Sequence, residues 1–204
     1  MTNGIPATAD IVIIGGGIVG CSVAYHLAHS GVSRVLLLER RQLTCGTTWH
    51  AAGLVGQLRS TRRLTELALY GIRLYESLED ETGQATGFNR NGSISVATSD
   101  ERMEELARGA SMARSLGIEA LPVTPADIEA LIPFANTSDL RGGIHFPADG
   151  QINPVDTTMA LAKGARAYGA TILENEEVTA VLSDKGRVSG VRTPGGDVSA
   201  RIVV

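Results

Sequence analysis

Aromatic residues are scarce in this chain, at 4%, and only two of its 204 residues are cysteine. Two cysteines cannot build the disulfide framework of a small secreted domain, so a reduced intracellular compartment, the cytoplasm, is expected. Charge of one sign is not in excess either: 18 Lys and Arg stand against 22 Asp and Glu, a net charge of −4. That balance argues against a basic surface for nucleic acid or anionic lipid. Arg59, Arg62 and Arg63 cluster locally and read as the solvated start of a helix. No apolar run approaches the roughly 20 residues that span a bilayer. The opening MTNGIPATAD lacks the apolar core of a signal peptide and the Arg-rich pattern of a transit peptide. Repeats and low-complexity tracts are absent, and no metal site is expected. The remainder, 43% hydrophobic and 20% charged, is ordinary for a globular chain that can bury a core.

Against that plain background, residues 11–20, IVIIGGGIVG, stand out. A β-branched apolar strand runs into Gly15-x-Gly17-x-x-Gly20 and an apolar helix start. Gly15 permits a tight strand-to-helix turn, Gly17 lets backbone approach a pyrophosphate, and Gly20 lets helix and strand pack closely. The phosphates would sit at a helix N-terminus, where unpaired N–H groups and the helix dipole favour negative charge. Ala24, four residues on, keeps the sheet-facing side of that helix small. Val35–Leu38 form a second apolar run ending in Glu39, nineteen positions after Gly20. A carboxylate there reaches both hydroxyls of an adenosine ribose. Arg40 and Arg41 could pair with a 2′-phosphate, but Glu39 would repel it, so the expected cofactor carries an unphosphorylated ribose.

The elements alternate along the chain. Helices are expected over Ile18–His29, from near Ser60 to Gly83 with an apolar stripe of Leu64, Leu67, Ala68, Ile72, Tyr75 and Leu78, and from a capping box at Thr98 to Leu116. A short helix starts at Thr124-Pro125 and a longer one at Asn153-Pro154, stopping at Gly169. Strands are expected near 93–98 and 144–146, and the tail from Thr171 is all β. Residues 1–83 therefore read as the first part of a nucleotide domain, 84–150 as an inserted α+β region, and 151–204 as an incomplete second part. Residues 201–204 read as the first half of a buried strand, which marks the chain as an N-terminal fragment of a longer protein.

A second motif, TCGTTWHAAGL at 44–54, follows the ribose-binding carboxylate and should run toward the far end of a bound dinucleotide. Gly46 and Gly53 allow close approach, Thr47 and Thr48 supply hydroxyls, and the single tryptophan, Trp49, sits beside His50. From chemistry alone, a lone loop histidine is more often a structural hydrogen-bonding residue than a reactive one. Cys21 reads as a buried helix residue, His26 and His29 as structural or exposed, His145 as packed in a strand, and Asp149-Gly150 as a turn.

The motifs GGGIVG, LLLER, CGTTWHAAGL, LYESLEDETGQATGF, NGSISVAT and PADGQINP together resemble the N-terminal part of sarcosine and dimethylglycine dehydrogenases, which are D-amino-acid-oxidase-like flavoproteins. The resemblance implies an α/β fold: a Rossmann-like FAD-binding domain of the glutathione-reductase type with part of a substrate domain inserted. It implies FAD attached covalently to His50 through the flavin 8α carbon. It further implies pyrophosphate on the backbone of Ile18 and Val19, ribose on Glu39 and Arg40, and adenine on the main chain of Val178. Gly46, Thr47, Thr48, Trp49, His50, Ala51, Ala52, Gly53 and Leu54 would line the flavin. The implied substrate is an N-methylated glycine, oxidised by hydride transfer to FAD and passed on as formaldehyde or to tetrahydrofolate, with an unidentified electron acceptor. Catalytic residues are expected beyond Val204. Two other readings share the first glycine motif: a nicotinamide-dependent dehydrogenase and a non-catalytic dinucleotide-binding module. Neither calls for the GTTWHAAG loop.

Overall fold

Thr8–Ile14 form β1, the strand around which the first unit is built. The structure, a computed structural model, describes residues 4–204. After β1 come α1 (Ile18–His29), β2 (Val35–Glu39), a 3₁₀ turn at Thr48–His50, β3 (Leu54–Val55) and α2 (Arg62–Thr82). Then follow β4 (Ser93–Ala97), α3 (Asp100–Ser115), β5 (Leu121–Val123), α4 (Pro125–Leu131), β6 (Gly142–Phe146) and β7 (Gly150–Gln151). The last elements are α5 (Pro154–Ala167), β8 (Thr171–Glu174), β9 (Ala180–Asp184), β10 (Arg187–Thr193) and β11 (Gly196–Val203). Two units result. One comprises the chain up to Gly53 with residues 77–87 and 153–204; the other comprises residues 54–76 and 88–152.

The first unit is α/β, with a six-stranded mixed sheet in the order β8-β2-β1-β11-β10-β9. Strands β8, β2, β1 and β11 are parallel, while β10 and β9 return antiparallel. All five residues of β2 are buried, which is why Val35–Leu38 is continuously apolar rather than alternating. Ala9, Val12, Leu36, Leu38, Val191, Val198 and Ala200 make one core cluster of this unit. Helices α1 and α5 approach so closely that a Cβ on Gly164 would lie 2.8 Å from the Tyr25 ring. The Tyr25 hydroxyl in turn donates to Glu81 at 2.8 Å.

The second unit carries a three-stranded antiparallel sheet, β4-β6-β5, and a small β3–β7 ladder. Ala110, Ala113, Ile118, Ala120, Ile144 and Phe146 form its core, with Leu58, Leu69 and Met103 packed alongside. Asp149 is buried at the turn after β6, where Gln57 N donates to Oδ1 (2.8 Å) and Ser93 Oγ to Oδ2 (2.6 Å). The turn expected at Asp149-Gly150 falls two residues earlier, at Pro147 and Ala148, where Asp149 N donates to the Phe146 carbonyl (3.2 Å) and Gly150 already opens β7; the Asp149 carboxylate ties three segments together.

Several expectations need correction. Residues 54–76 belong to the second unit rather than to the first part of a nucleotide domain, because β3 pairs with β7 and Leu69 packs in that unit's core. The expected stripe of α2 holds from Ala68 onward, with Ile72 and Leu78 buried, and fails only at its start. Leu64 and Leu67 are 48% and 64% exposed, while Thr65 is fully buried. Thr65 can be buried because its hydroxyl donates to the Thr61 carbonyl (2.9 Å) and accepts from Arg59 N (3.0 Å). The cap of α3 is Ser99, which accepts from Arg102 N; the expected cap was Thr98. Residues 201–203 end strand β11, but Arg201 and Ile202 are exposed rather than buried as read. The strand is eight residues long and lies between β1 and β10, although its register with β10 stops at Ser199.

Replacing Asp149 with Ala should destabilise the protein by roughly 2–4 kcal/mol, because two donors lose a charged acceptor. Chemical unfolding of the variant checks this; an unchanged midpoint would contradict the role assigned to the carboxylate.

Candidate dinucleotide-binding site

The turn between β1 and α1 is fixed by three glycines for three reasons. Gly15 adopts φ +109°, where a side chain is strained. A Cβ on Gly20 would overlap the Gly15 carbonyl oxygen, so only hydrogen fits there. A Cβ on Gly17 would lie 3.2 Å from Thr48 Oγ1. Gly17 is also the N-cap of α1, with no side-chain cap, and the first turn holds no acidic residue. The positive end of this 12-residue helix is therefore left to whatever binds outside it. Val19 is 75% exposed in that first turn.

Glu39 is buried at the end of β2 and holds this turn in place. Its Oε2 accepts from Gly16 N at 2.7 Å and its Oε1 from Arg41 N at 2.9 Å. Oε1 also accepts from Cys45 Sγ, so Oε2 keeps acceptor capacity for a further donor, because a carboxylate offers about four lone-pair sites. A cavity of about 280 Å³ opens here, lined by Ile14, Gly15, Leu38, Glu39, Arg40, Glu177 and Val178. The structure thus gathers Gly15, Glu39, Arg40 and Val178, residues expected from distant parts of the sequence, around one cavity. Register explains it: β1 and β2 are parallel with Ile14 opposite Leu38, and Glu176 N donates to the Glu39 carbonyl, which brings residues 176–178 alongside.

The Thr48–His50 turn is joined to the same helix end. Ile18 N donates to Thr48 Oγ1 at 3.1 Å. Ile18, expected to offer its backbone to a phosphate, has its N–H on the buried Thr48 hydroxyl, since a first-turn amide has no intrahelical acceptor. His50 is exposed, its ring centroid 3.7 Å from that of the half-exposed Trp49. Thr47, Gly46, Ala51 and Ala52 are exposed, and Gly53 is buried at φ +74°. Leu54 belongs to the second unit, opposite Gln151, and is 78% exposed.

Two participants were missed by sequence reasoning. Glu177 lines the cavity, and its only sequence signal is its place beside Val178. Cys45 Sγ lies 3.8 Å from Glu39 Oε1. Cys21 is buried as expected, and burial pushes its thiol up to about 12, which leaves it unreactive. Among the described residues no group of His, Cys, Asp and Glu could hold a metal ion, and no helix is long and apolar enough to cross a membrane.

Comparison with known proteins gives this geometry a context. The family model for FAD dependent oxidoreductases matches residues 10–204. Human mitochondrial sarcosine dehydrogenase is 41% identical over 98% of the chain, and rat mitochondrial dimethylglycine dehydrogenase 42% identical over 96%. The chain spans 22% and 23% of those relatives' lengths. The crystal structure of L-proline dehydrogenase from P. horikoshii superposes with a TM-score of 0.91 at 28% identity, covering 98% of this chain and 52% of that one.

A Gly20→Ala variant should lose most of its dinucleotide binding and cost about 1–3 kcal/mol of stability, as overpacking does. Bound cofactor per chain and thermal unfolding read both effects; wild-type cofactor content would contradict the close packing of Gly15 and Gly20.

Proposed function

Because the chain belongs to the FAD dependent oxidoreductases, we propose that the protein oxidises the C–N bond of an N-methylated amino acid of the sarcosine or dimethylglycine kind. FAD, when bound, supplies the acceptor for the hydride that leaves the carbon next to nitrogen. The resulting iminium hydrolyses to release formaldehyde or yields its one-carbon unit to tetrahydrofolate. The first unit holds FAD and the second carries part of the substrate side.

The observation that carries this reading is the Ile18–Thr48 hydrogen bond, which fastens the His50 turn to the glycine-rich helix end. The ADP half of FAD fits the residues present: a helix end without its own cap, glycines whose side chains have no room, and a cavity bearing Glu39, Arg40 and Val178. Glu39 and Arg40 hold the ribose, Val178 borders adenine through its main chain, and the first turn of α1, with Val19, faces the pyrophosphate. The loop from Gly46 to Leu54 then follows the flavin half.

His50 is exposed and free to take the flavin covalently. Its imidazole would hold the cofactor through a ring nitrogen, the nucleophile this side chain offers. The link anchors the cofactor and tunes its potential without touching the substrate.

Acid precipitation of the full-length protein tests the bond. The wild type should keep its yellow colour in the pellet and His50→Ala should release it; colour lost to the supernatant by the wild type contradicts the linkage. A colourless protein that oxidises substrate with nicotinamide would favour the dehydrogenase reading.

On the His50→Ala background, Glu39→Gln should weaken FAD binding about 10- to 100-fold. The amide nitrogen of Gln cannot accept, so a backbone N–H or a ribose hydroxyl loses a charged partner. Unchanged affinity in a titration of the apoprotein would contradict the ribose assignment.

A further inference from the structure

Residues 177 and 178 form a short bracket whose ends are pinned and whose middle is unpaired. On one side Glu176 N donates to the Glu39 carbonyl at 2.9 Å, and on the other Thr179 N donates to the Arg192 carbonyl at 2.8 Å. Thr179 Oγ1 donates to that same carbonyl at 3.2 Å. Between these anchors, among the described residues, neither the N–H nor the C=O of Glu177 or Val178 meets a protein partner. Both residues line the cavity of about 280 Å³ beside β2. Main-chain groups held in place and left open to a cavity are free for a ligand.

The Glu177 side chain is open as well. It is exposed, and among the described residues no hydrogen bond or ion pair reaches its carboxylate. Arg40 lines the same cavity and makes no ion pair either, so the two charges are not spent on each other. The two acids of this cavity therefore differ in what they do. Glu39 is buried and holds Gly16 N and Arg41 N, which builds the turn. Glu177 holds nothing in the fold.

An ionised carboxylate can only accept hydrogen bonds. Glu177 adjoins the Val178 main chain, which borders the adenine in the functional reading above. Adenine carries an exocyclic amine, a donor, where guanine and hypoxanthine carry an oxygen, an acceptor. A carboxylate accepts from the first and repels the second. A polar site matched to a donor rejects the analogue that lacks it far more strongly than an apolar pocket does.

We propose that the Glu177 carboxylate accepts from the exocyclic amine of the cofactor's adenine and so selects an adenine dinucleotide over one whose base bears oxygen at that position. The inference rests on the reading that this cavity takes the adenosine half of FAD, and it adds a side-chain contact to the main-chain one at Val178. Glu177 binds and selects, and the oxidation belongs to groups elsewhere.

The test reads cofactor binding rather than turnover. Full-length apoprotein carrying His50→Ala, so that flavin stays dissociable, is titrated by flavin fluorescence with FAD and with flavin hypoxanthine dinucleotide. With Glu177 intact, FAD should bind the more tightly. Glu177→Gln should narrow that preference about 10-fold, the worth of one hydrogen bond to a charged group, because its amide can turn a donor toward the oxygen. Glu177→Lys, which only donates, should narrow it further. An unchanged preference in both variants would overturn the proposal, and so would an equal gain in affinity for both dinucleotides, which would make Glu177 a mere negative charge near the diphosphate. Equal binding of the two dinucleotides with Glu177 intact would overturn it too. Failure of the Glu177-intact protein to bind FAD at all would instead defeat the underlying functional reading, a result distinct from these.

Discussion

One carboxylate sets the geometry of the nucleotide site. Glu39, at the end of β2, accepts from Gly16 N in the turn after β1 and from Arg41 N in its own chain. Without that bridge the glycine turn would have to hold its shape unaided, and glycines lose more conformational freedom on folding than any other residue. The bridge is buried, which strengthens it, and it stands where two parallel strands end together. The start of α1, the cavity beside β2 and the Thr48 contact to Ile18 all depend on the turn it fixes.

The same economy recurs in the second unit. Asp149 does for the loop after β3, for β4 and for the turn after β6 what Glu39 does for β1 and β2: one buried acid satisfies donors from separated segments. In both places the carboxylate meets donors that a loop would otherwise leave unpaired, so its burial is offset by charge-assisted hydrogen bonds. The difference lies in what is left over. Glu39 keeps lone pairs facing a cavity, whereas the Asp149 network leaves a donor, Gln57 Nε2, without an acceptor.

Much of this was legible in the sequence, for physical reasons that particular residues make plain. Helix α1 runs from Ile18 to His29 as read, because the glycine turn starts it and Gly31 follows its end. Asn153-Pro154 and Thr124-Pro125 open α5 and α4 as caps with proline in the first turn. Hydrophobic pattern misled only at the start of α2, where a threonine is buried by satisfying its own hydroxyl and two leucines are left exposed, while Ile72 and Leu78 are buried as read. Strands β3, β5 and β7 have two or three residues and are too short for alternation to register. At the site, Glu39, Arg40 and Val178 were legible from spacing and family resemblance. The use of Ile18 N by Thr48 was not, since it depends on a side chain thirty residues away in the chain. Gln57 was equally invisible, because an unpaired donor is a property of packing.

The account turns on where the adenosine half of the cofactor lies, and a crystal structure of the FAD-loaded protein measures that directly. It should show the ribose hydroxyls on the Glu39 carboxylate with adenine beside the Val178 main chain, and the Glu39 bridge to Gly16 intact. Adenosine bound away from this cavity, with Glu39 touching only Gly16 and Arg41, would contradict the account.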